Sequence, residues 1–176
     1  MSRTFSKISK NVTELFRNRQ YLAVIIVTAV FSYGFLITHG TVGIDDTPYA
    51  LYFEEGLNVI VGRWVLFIVN KFLAISEYAP FLTDLAGVMI LVLAVTVWAG
   101  LFRSICRDSS RENIYLVFAA VFLSCPLISE VYTYHLHNGI SLGYLFCGVS
   151  LWFFRDSFDE MTGEAGIRAL RNPAVS

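Results

Sequence analysis

The sequence predicts an all-α fold, a polytopic membrane bundle of about four transmembrane helices with interfacial helices in its first outer loop. Three observations predict it. Of the 176 residues, 56% are hydrophobic and 15% are charged, whereas soluble chains carry about 25% charge. The mean hydropathy is +0.60. Several apolar segments also approach or fall within the roughly 17 to 25 residues that cross a bilayer as a helix.

The same composition excludes several classes of protein. A net charge of -1 and a pI near 6.3 argue against nucleic acid as a partner. The three cysteines, Cys106, Cys125 and Cys147, have no paired spacing. They therefore predict neither a disulfide framework nor a zinc site.

The chain begins with a basic segment, residues 1–20, which we expect in the cytoplasm. Residues 21–38 follow without a charge and would be about 27 Å long as a helix. A signal peptide is the alternative. The residues after this segment offer no small-x-small cleavage site, so we interpret it as an uncleaved first span.

Three further segments are predicted to cross the membrane, and a polar tail is expected to follow them in the cytoplasm. The clearest is 82–102, in which Asp84 is the only charged residue. The predicted spans are 21–38, 82–102, 113–129 and 138–154, with an interfacial outer loop at 39–81 and the tail at 156–176.

Residues 57–75 are ambiguous because this apolar segment contains Arg63, Asn70 and Lys71. If it does not span, the predicted inside holds 11 of the 13 basic residues, and the outside holds seven acids and two bases. The positive-inside rule favours that arrangement. It predicts four spans, with both ends of the chain in the cytoplasm.

Two adjacent carboxylates, Asp45 and Asp46, stand out in the first outer loop. Mutual repulsion and partial desolvation raise the pKa of at least one carboxyl in such a pair. A group of that kind can act as a general base on an acceptor hydroxyl, or can hold a divalent cation. The alternative is structural: Asp46-Thr47-Pro48 is also typical of a helix start, with Asp46 as its cap.

Arg63 and Glu130 are the other charged candidates on the predicted outer face. A guanidinium suits a lipid phosphate or pyrophosphate, although Arg63 could equally pair with Glu54 or Glu55. Glu130 lies at the end of a predicted span, where an ionisable group is a functional candidate or an interface marker.

Aromatic and histidine side chains follow Glu130 in the sequence. Tyr132 can stack on a sugar ring or belong to an aromatic belt. His135 and His137 could ligate a metal on a strand, but on a helix they point apart and no third ligand has a fixed spacing. We therefore predict no metal site and place Tyr132 and His135 with Arg63 and Glu130 as substrate-binding candidates.

The outer-loop residues resemble the start of the GtrII-type glucosyltransferase family, polytopic bacterial membrane proteins that modify surface polysaccharides. The resemblance covers about residues 15–155. The residues that carry it are Gly43-Ile44-Asp45-Asp46-Thr47-Pro48-Tyr49, Gly56-Leu57 and Gly62-Arg63-Trp64.

This resemblance implies a GT-C-like membrane enzyme that takes sugar from a polyprenyl-phosphate donor and transfers it to a polysaccharide acceptor at the outer face. It implies Asp45 or Asp46 as catalytic base or acceptor-orienting group, and Arg63 beside the donor phosphate. No motif indicates a cofactor, and a divalent cation at the carboxylates stays an open alternative.

The chain is short for this family, whose members have many more spans. We therefore expect either an N-terminal fragment of an enzyme, which lacks its C-terminal half, or a short relative that needs a partner membrane subunit. A different class of function remains as an alternative: a non-enzymatic four-span protein that translocates lipid-linked sugar or assembles with a larger transferase. A third alternative is that the chain is a decayed fragment without a function of its own.

Overall fold

The computed structural model describes residues 2–39, 68, 80–105, 113–131 and 139–171. Within these residues the chain contains helices and no strand, so the all-α prediction is confirmed there. The helices are α1 (Ser2–Arg17), α2 (Arg19–Thr38), α3 (Pro80–Ile105), α4 (Ile114–Leu123), α5 (Pro126–Val131) and α6 (Gly139–Arg171).

Most of the basic N-terminal segment, residues 1–20, forms helix α1. Its apolar residues recur at helical spacing, and Ile8 and Leu15 are buried against the bundle. Ile8 joins Val97, Leu101 and Trp152 in one apolar cluster. The basic segment is therefore an amphipathic helix that packs on α3 and α6.

Asn18 separates α1 from α2 and joins both to α4. Its side-chain oxygen accepts hydrogen bonds from the backbone N–H groups of Gln20 (2.9 Å) and Tyr21 (3.4 Å), which caps α2. Its amide nitrogen donates to the Tyr115 hydroxyl at 3.0 Å. The Asn18 side chain thus caps α2 and contacts α4, while its backbone N–H donates to the carbonyls of Glu14 and Leu15 at the end of α1.

Contacts between the helices establish their directions. Helices α2 and α4 run parallel, because Asn18 contacts Tyr115 near their starts and the Tyr33 hydroxyl donates to the Leu123 carbonyl near their ends. Helix α3 runs the opposite way, since Arg103 near its end lies over the Tyr115 ring. We call the end of the bundle that contains Asn18, Arg103 and Tyr115 the inner end, following the predicted orientation, and the opposite end the outer end.

Helix α6 runs parallel to α3. The Trp98 indole N–H donates to the Tyr144 carbonyl (2.9 Å), and the Trp152 indole N–H donates to the Val97 carbonyl (3.1 Å). Closer to the inner end, Arg155 donates to the Ser104 carbonyl (3.0 Å) and to the Ser104 hydroxyl. Helix α6 continues to Arg171, so most of the predicted polar tail, residues 156–176, is helical.

Two of the described helices are long and apolar enough to cross a membrane: Arg19–Thr38 and Asp84–Ile105. They agree with the predicted spans 21–38 and 82–102. Many large apolar side chains on α2, including Phe31 and Phe35, are exposed on the surface of the bundle. The crossings predicted at 113–129 and 138–154 stay predictions, as does the orientation of the N-terminus.

The segment predicted as one span at 113–129 is divided into α4 and α5. The break is explained by Pro126, which has no backbone N–H and cannot continue the hydrogen-bond ladder of α4. Helix α5 restarts with hydrogen bonds from Ile128 and Ser129 to the Cys125 carbonyl. The Tyr33 hydroxyl donates to the Leu123 carbonyl at 2.8 Å, which gives a carbonyl beside the break a partner.

Ionic contacts at the inner end attach α1 to the bundle. The Lys7 ammonium lies 3.0 Å from the Asp156 carboxylate, and Glu14 lies 3.6 Å from Arg103. Burial acts to raise the pKa of Asp156, but hydrogen bonds from Lys7 and Thr4 and the charges of Lys7 and Arg155 outweigh it. The pKa of Asp156 therefore lies below its ordinary value, and folding favours its ionised form.

We expect the Lys7–Asp156 contact to stabilise the fold at neutral pH and to be lost in acid. Because the pKa of Asp156 is lowered on folding, its contribution is complete above the unfolded pKa, about 3.9, and disappears as the pH falls through the lower native value. Asp156→Asn should lower the free energy of unfolding by about 1 kcal/mol at pH 7. The effect is no larger because the Lys7 ammonium is exposed and screened by solvent. The free energy of unfolding should also depend less steeply on pH in acid.

The measurement is unfolding in detergent as a function of pH, followed by circular dichroism. Asp159→Asn is the matched control, since its carboxylate is 63% exposed and lies 3.8 Å from Arg155. An unchanged acid dependence in Asp156→Asn would contradict this role of the contact.

Candidate functional site

The directions of the helices place the helix ends that flank residues 40–79 and 132–138 at the outer end of the bundle. Residues 40–79 connect the end of α2 to the start of α3, and residues 132–138 connect α5 to the start of α6. All four attachment points lie at the outer end. The two sequence segments that contain the candidate residues are therefore anchored at the same end of the fold.

Five of the candidate residues lie outside the described residues: Asp45, Asp46, Arg63, Tyr132 and His135. The same holds for the predicted interfacial helices of the first outer loop and for residues 57–75, with the exception of Ile68. Their assignments stay predictions from the sequence, anchored by the attachment points above.

Glu130 is the candidate residue that the structure describes. It lies in the last turns of α5, its side chain is exposed, and it takes part in a polar or electrostatic interaction. Pro126, the first residue of α5, separates the short helix that contains Glu130 from α4. Glu130 is exposed at the outer end of the bundle, and its role in binding substrate stays a prediction.

Asp84 is a carboxylate that the sequence analysis left out of the candidate site. It lies in the first turns of α3 and is only 2% exposed. Ser141, in the first turn of α6, is also 2% exposed, and each takes part in a polar or electrostatic interaction. Ionisable residues inside apolar spans are rare and commonly functional. In the sequence, Asp84 is recognisable as a candidate because it is the only acid in the apolar segment 82–102.

His39 ends α2 at the same end of the bundle. Its backbone N–H caps the helix through the Phe35 carbonyl, and its ring stacks on the Phe35 ring with centroids 4.3 Å apart. The ring nitrogen Nδ1 lies 2.9 Å from the Thr38 hydroxyl. His39 is exposed, so its imidazole is accessible at the outer end of the bundle.

The described outer-end groups can bind and orient a polar ligand, but they do not form a metal centre. No group of three or more His, Cys, Asp or Glu side chains converges within the described residues. The Glu130 carboxylate and the His39 imidazole are the exposed groups among them, whereas Asp84 and Ser141 are buried. An exposed carboxylate or imidazole can hydrogen-bond the hydroxyls of a sugar or accept a proton from one.

Comparison with known proteins and protein families identifies the family to which the chain belongs. No curated protein and no solved structure matches the chain significantly. A family model described as "Glucosyl transferase GtrII" matches residues 34–158. The match begins within α2, includes both undescribed outer segments and ends within α6. Together with the two apolar helices, it supports association with a membrane. The chain belongs to the GtrII glucosyl transferase family.

Proposed function

We propose that this protein is a membrane glucosyltransferase, or the N-terminal part of one, that acts at the outer end of its helical bundle. The observation that carries the proposal is the family match over residues 34–158, which contains Asp45, Asp46, Arg63 and Glu130. The geometry supports it, because residues 40–79 and 132–138 both attach to the bundle at that end.

In the proposed reaction, sugar moves from a polyprenyl-phosphate donor to a hydroxyl of a surface polysaccharide. Asp45 or Asp46 accepts the proton of the acceptor hydroxyl, whose oxygen attacks the anomeric carbon. The bond between that carbon and the phosphate oxygen breaks, and the lipid phosphate leaves. Arg63 stabilises the negative charge that accumulates on the departing phosphate.

The remaining outer groups would bind the two substrates. Glu130 is exposed at the end of α5 and can accept hydrogen bonds from sugar hydroxyls. We assign Tyr132 to stacking on a sugar face and His135 to a further polar contact. A donor carried by lipid fits a protein whose apolar helices share the membrane with it.

The test is direct transfer of labelled glucose. Membranes that contain the full chain, and matched membranes without it, receive polyprenyl-phosphate-[14C]glucose and a surface polysaccharide. We expect label in the polysaccharide only when the chain is present. Label that crosses the bilayer while still bound to lipid would instead indicate the non-enzymatic translocation function. Label that stays on the donor lipid, both with the chain alone and with the chain joined to the C-terminal part of a longer family member or supplied with a partner subunit, would contradict the proposal.

A further inference from the structure

Helix α1 has three distinct faces. The first packs against the bundle and includes Thr4, Ile8 and Leu15, all buried. The second is polar and basic: Lys10 and Arg17 are exposed on the side turned away from the buried residues. The third lies beside the buried face and is apolar. This apolar flank is formed by Phe5, Val12 and Phe16.

The apolar flank is only partly covered by the rest of the protein. Phe5 is 66% exposed, whereas Val12 packs against the cluster that contains Ile8 and Trp152. The spacing of 5, 12 and 16 keeps the three side chains on one stripe of the helix. A stripe of this kind, next to an exposed basic face, is typical of helices that lie in a membrane interface.

The contacts of α1 place it across the inner end of the bundle. In chain order, Lys7 contacts Asp156 of α6 and Glu14 contacts Arg103 of α3. Asn18, directly after the helix, contacts Tyr115 at the start of α4. Arg103 and Tyr115 lie at the inner ends of α3 and α4, and Asp156 lies part-way along α6, just after its predicted span 138–154. Helix α1 therefore crosses three helices at one level. That level is where the apolar part of the bundle ends.

We propose that α1 is an interfacial helix that binds anionic phospholipid headgroups at the inner end of the bundle. Lys10 and Arg17 contact the headgroup phosphates, and Phe5 and Phe16 enter the boundary between headgroups and acyl chains. The charge complementarity supports this occupant: residues 2–17 contain four basic residues and one acid. An acidic soluble protein is the competing occupant of the basic face, and it would leave Phe5 in water.

The experiment measures which lipid lies beside Phe5. The full chain, with its three cysteines replaced by serine or alanine, receives a single cysteine through Phe5→Cys, at an exposed site whose loss leaves the core intact. A fluorophore on that cysteine is then followed in vesicles of phosphatidylcholine with 30% phosphatidylglycerol. In parallel samples the spin-labelled lipid is either the phosphatidylglycerol or an equal amount of phosphatidylcholine.

We expect quenching by both lipids, and stronger quenching by phosphatidylglycerol. Lys10→Gln with Arg17→Gln should abolish the preference while the fluorophore stays quenchable. The matched control, Arg168→Gln with Arg171→Gln, removes the same charge from the end of α6 and should retain the preference. Helix content by circular dichroism verifies that each variant is folded.

Three results would overturn the proposal. Equal quenching by the two lipids in the parent protein would show that α1 has no preference for anionic headgroups. A control pair that loses the preference as completely as the α1 pair would attribute it to overall charge. A fluorophore that neither lipid quenches would place α1 off the membrane, as the protein-partner alternative requires. None of these outcomes depends on glucosyl transfer.

Discussion

Replacing Asp45 and Asp46 together with asparagine is expected to lower the rate of glucosyl transfer by about 10²- to 10⁴-fold, the usual range for loss of general-base catalysis. An amide has nearly the shape of the carboxylate, but it cannot accept the proton of the acceptor hydroxyl. Asparagine also caps helices about as well as aspartate. If Asp46 begins a helix, the variant therefore retains that cap while losing the base.

The control is a second adjacent pair of acids in the same segment, Glu54 and Glu55. Glu54→Gln with Glu55→Gln removes the same charge and should leave transfer near the parent rate. Transfer of labelled glucose is measured at equal membrane abundance of each variant. The single variants Asp45→Asn and Asp46→Asn then identify which carboxylate is the base. Parental rates in the Asp45/Asp46 double variant would show that neither acid is catalytic.

Gly148→Val is expected to produce the largest loss of stability, about 3 kcal/mol, at the upper end of the usual cost of overpacking. A Cβ atom at Gly148 would lie 2.9 Å from Nε1 of Trp98 and 3.2 Å from Cγ1 of Val97. The Trp98 indole cannot simply rotate away, because its N–H donates to the Tyr144 carbonyl at 2.9 Å. Valine would therefore separate α3 from α6 or break that hydrogen bond.

Gly143→Val is the matched control on the same helix. A Cβ atom at Gly143 meets nothing within 4 Å, and the residue is exposed. Unfolding in mixed micelles with increasing SDS should give a lower midpoint for Gly148→Val and a nearly unchanged midpoint for Gly143→Val. Equal midpoints for the two variants would contradict close packing of α3 on α6 at Gly148.

Much of the helical content was predictable from apolar runs. The charge-free segment 21–38 corresponds to α2, and 82–102 lies within α3. Two features differ from the expectation for physical reasons. Pro126 divides the third apolar run, although a proline among apolar residues is also tolerated within membrane helices. Helix α6 continues through the polar tail to Arg171, because charge alone does not end a helix.

The candidate site was predictable only in part. Asp45, Asp46 and Arg63 are predicted from local motifs and lie within the family match, and they stay predictions because they are outside the described residues. Asp84 was visible as a lone acid in an apolar segment, but its burial depends on packing between helices. Similarly, the basic residues dominate the sequence pattern of α1, because its apolar residues are few and interrupted, and packing on α3 and α6 makes their helical spacing evident.

The sequence by itself determined that the chain is helical, rich in apolar surface and a member of the GtrII family, because composition, uninterrupted apolar length and local motifs are properties of neighbouring residues. The tertiary structure decided which residues meet. Lys7 with Asp156, Gly148 with Trp98, and Tyr33 with Leu123 are each separated by many residues in the chain. Such contacts depend on helix directions and crossing positions, which are set by side-chain packing between helices and which no local pattern specifies.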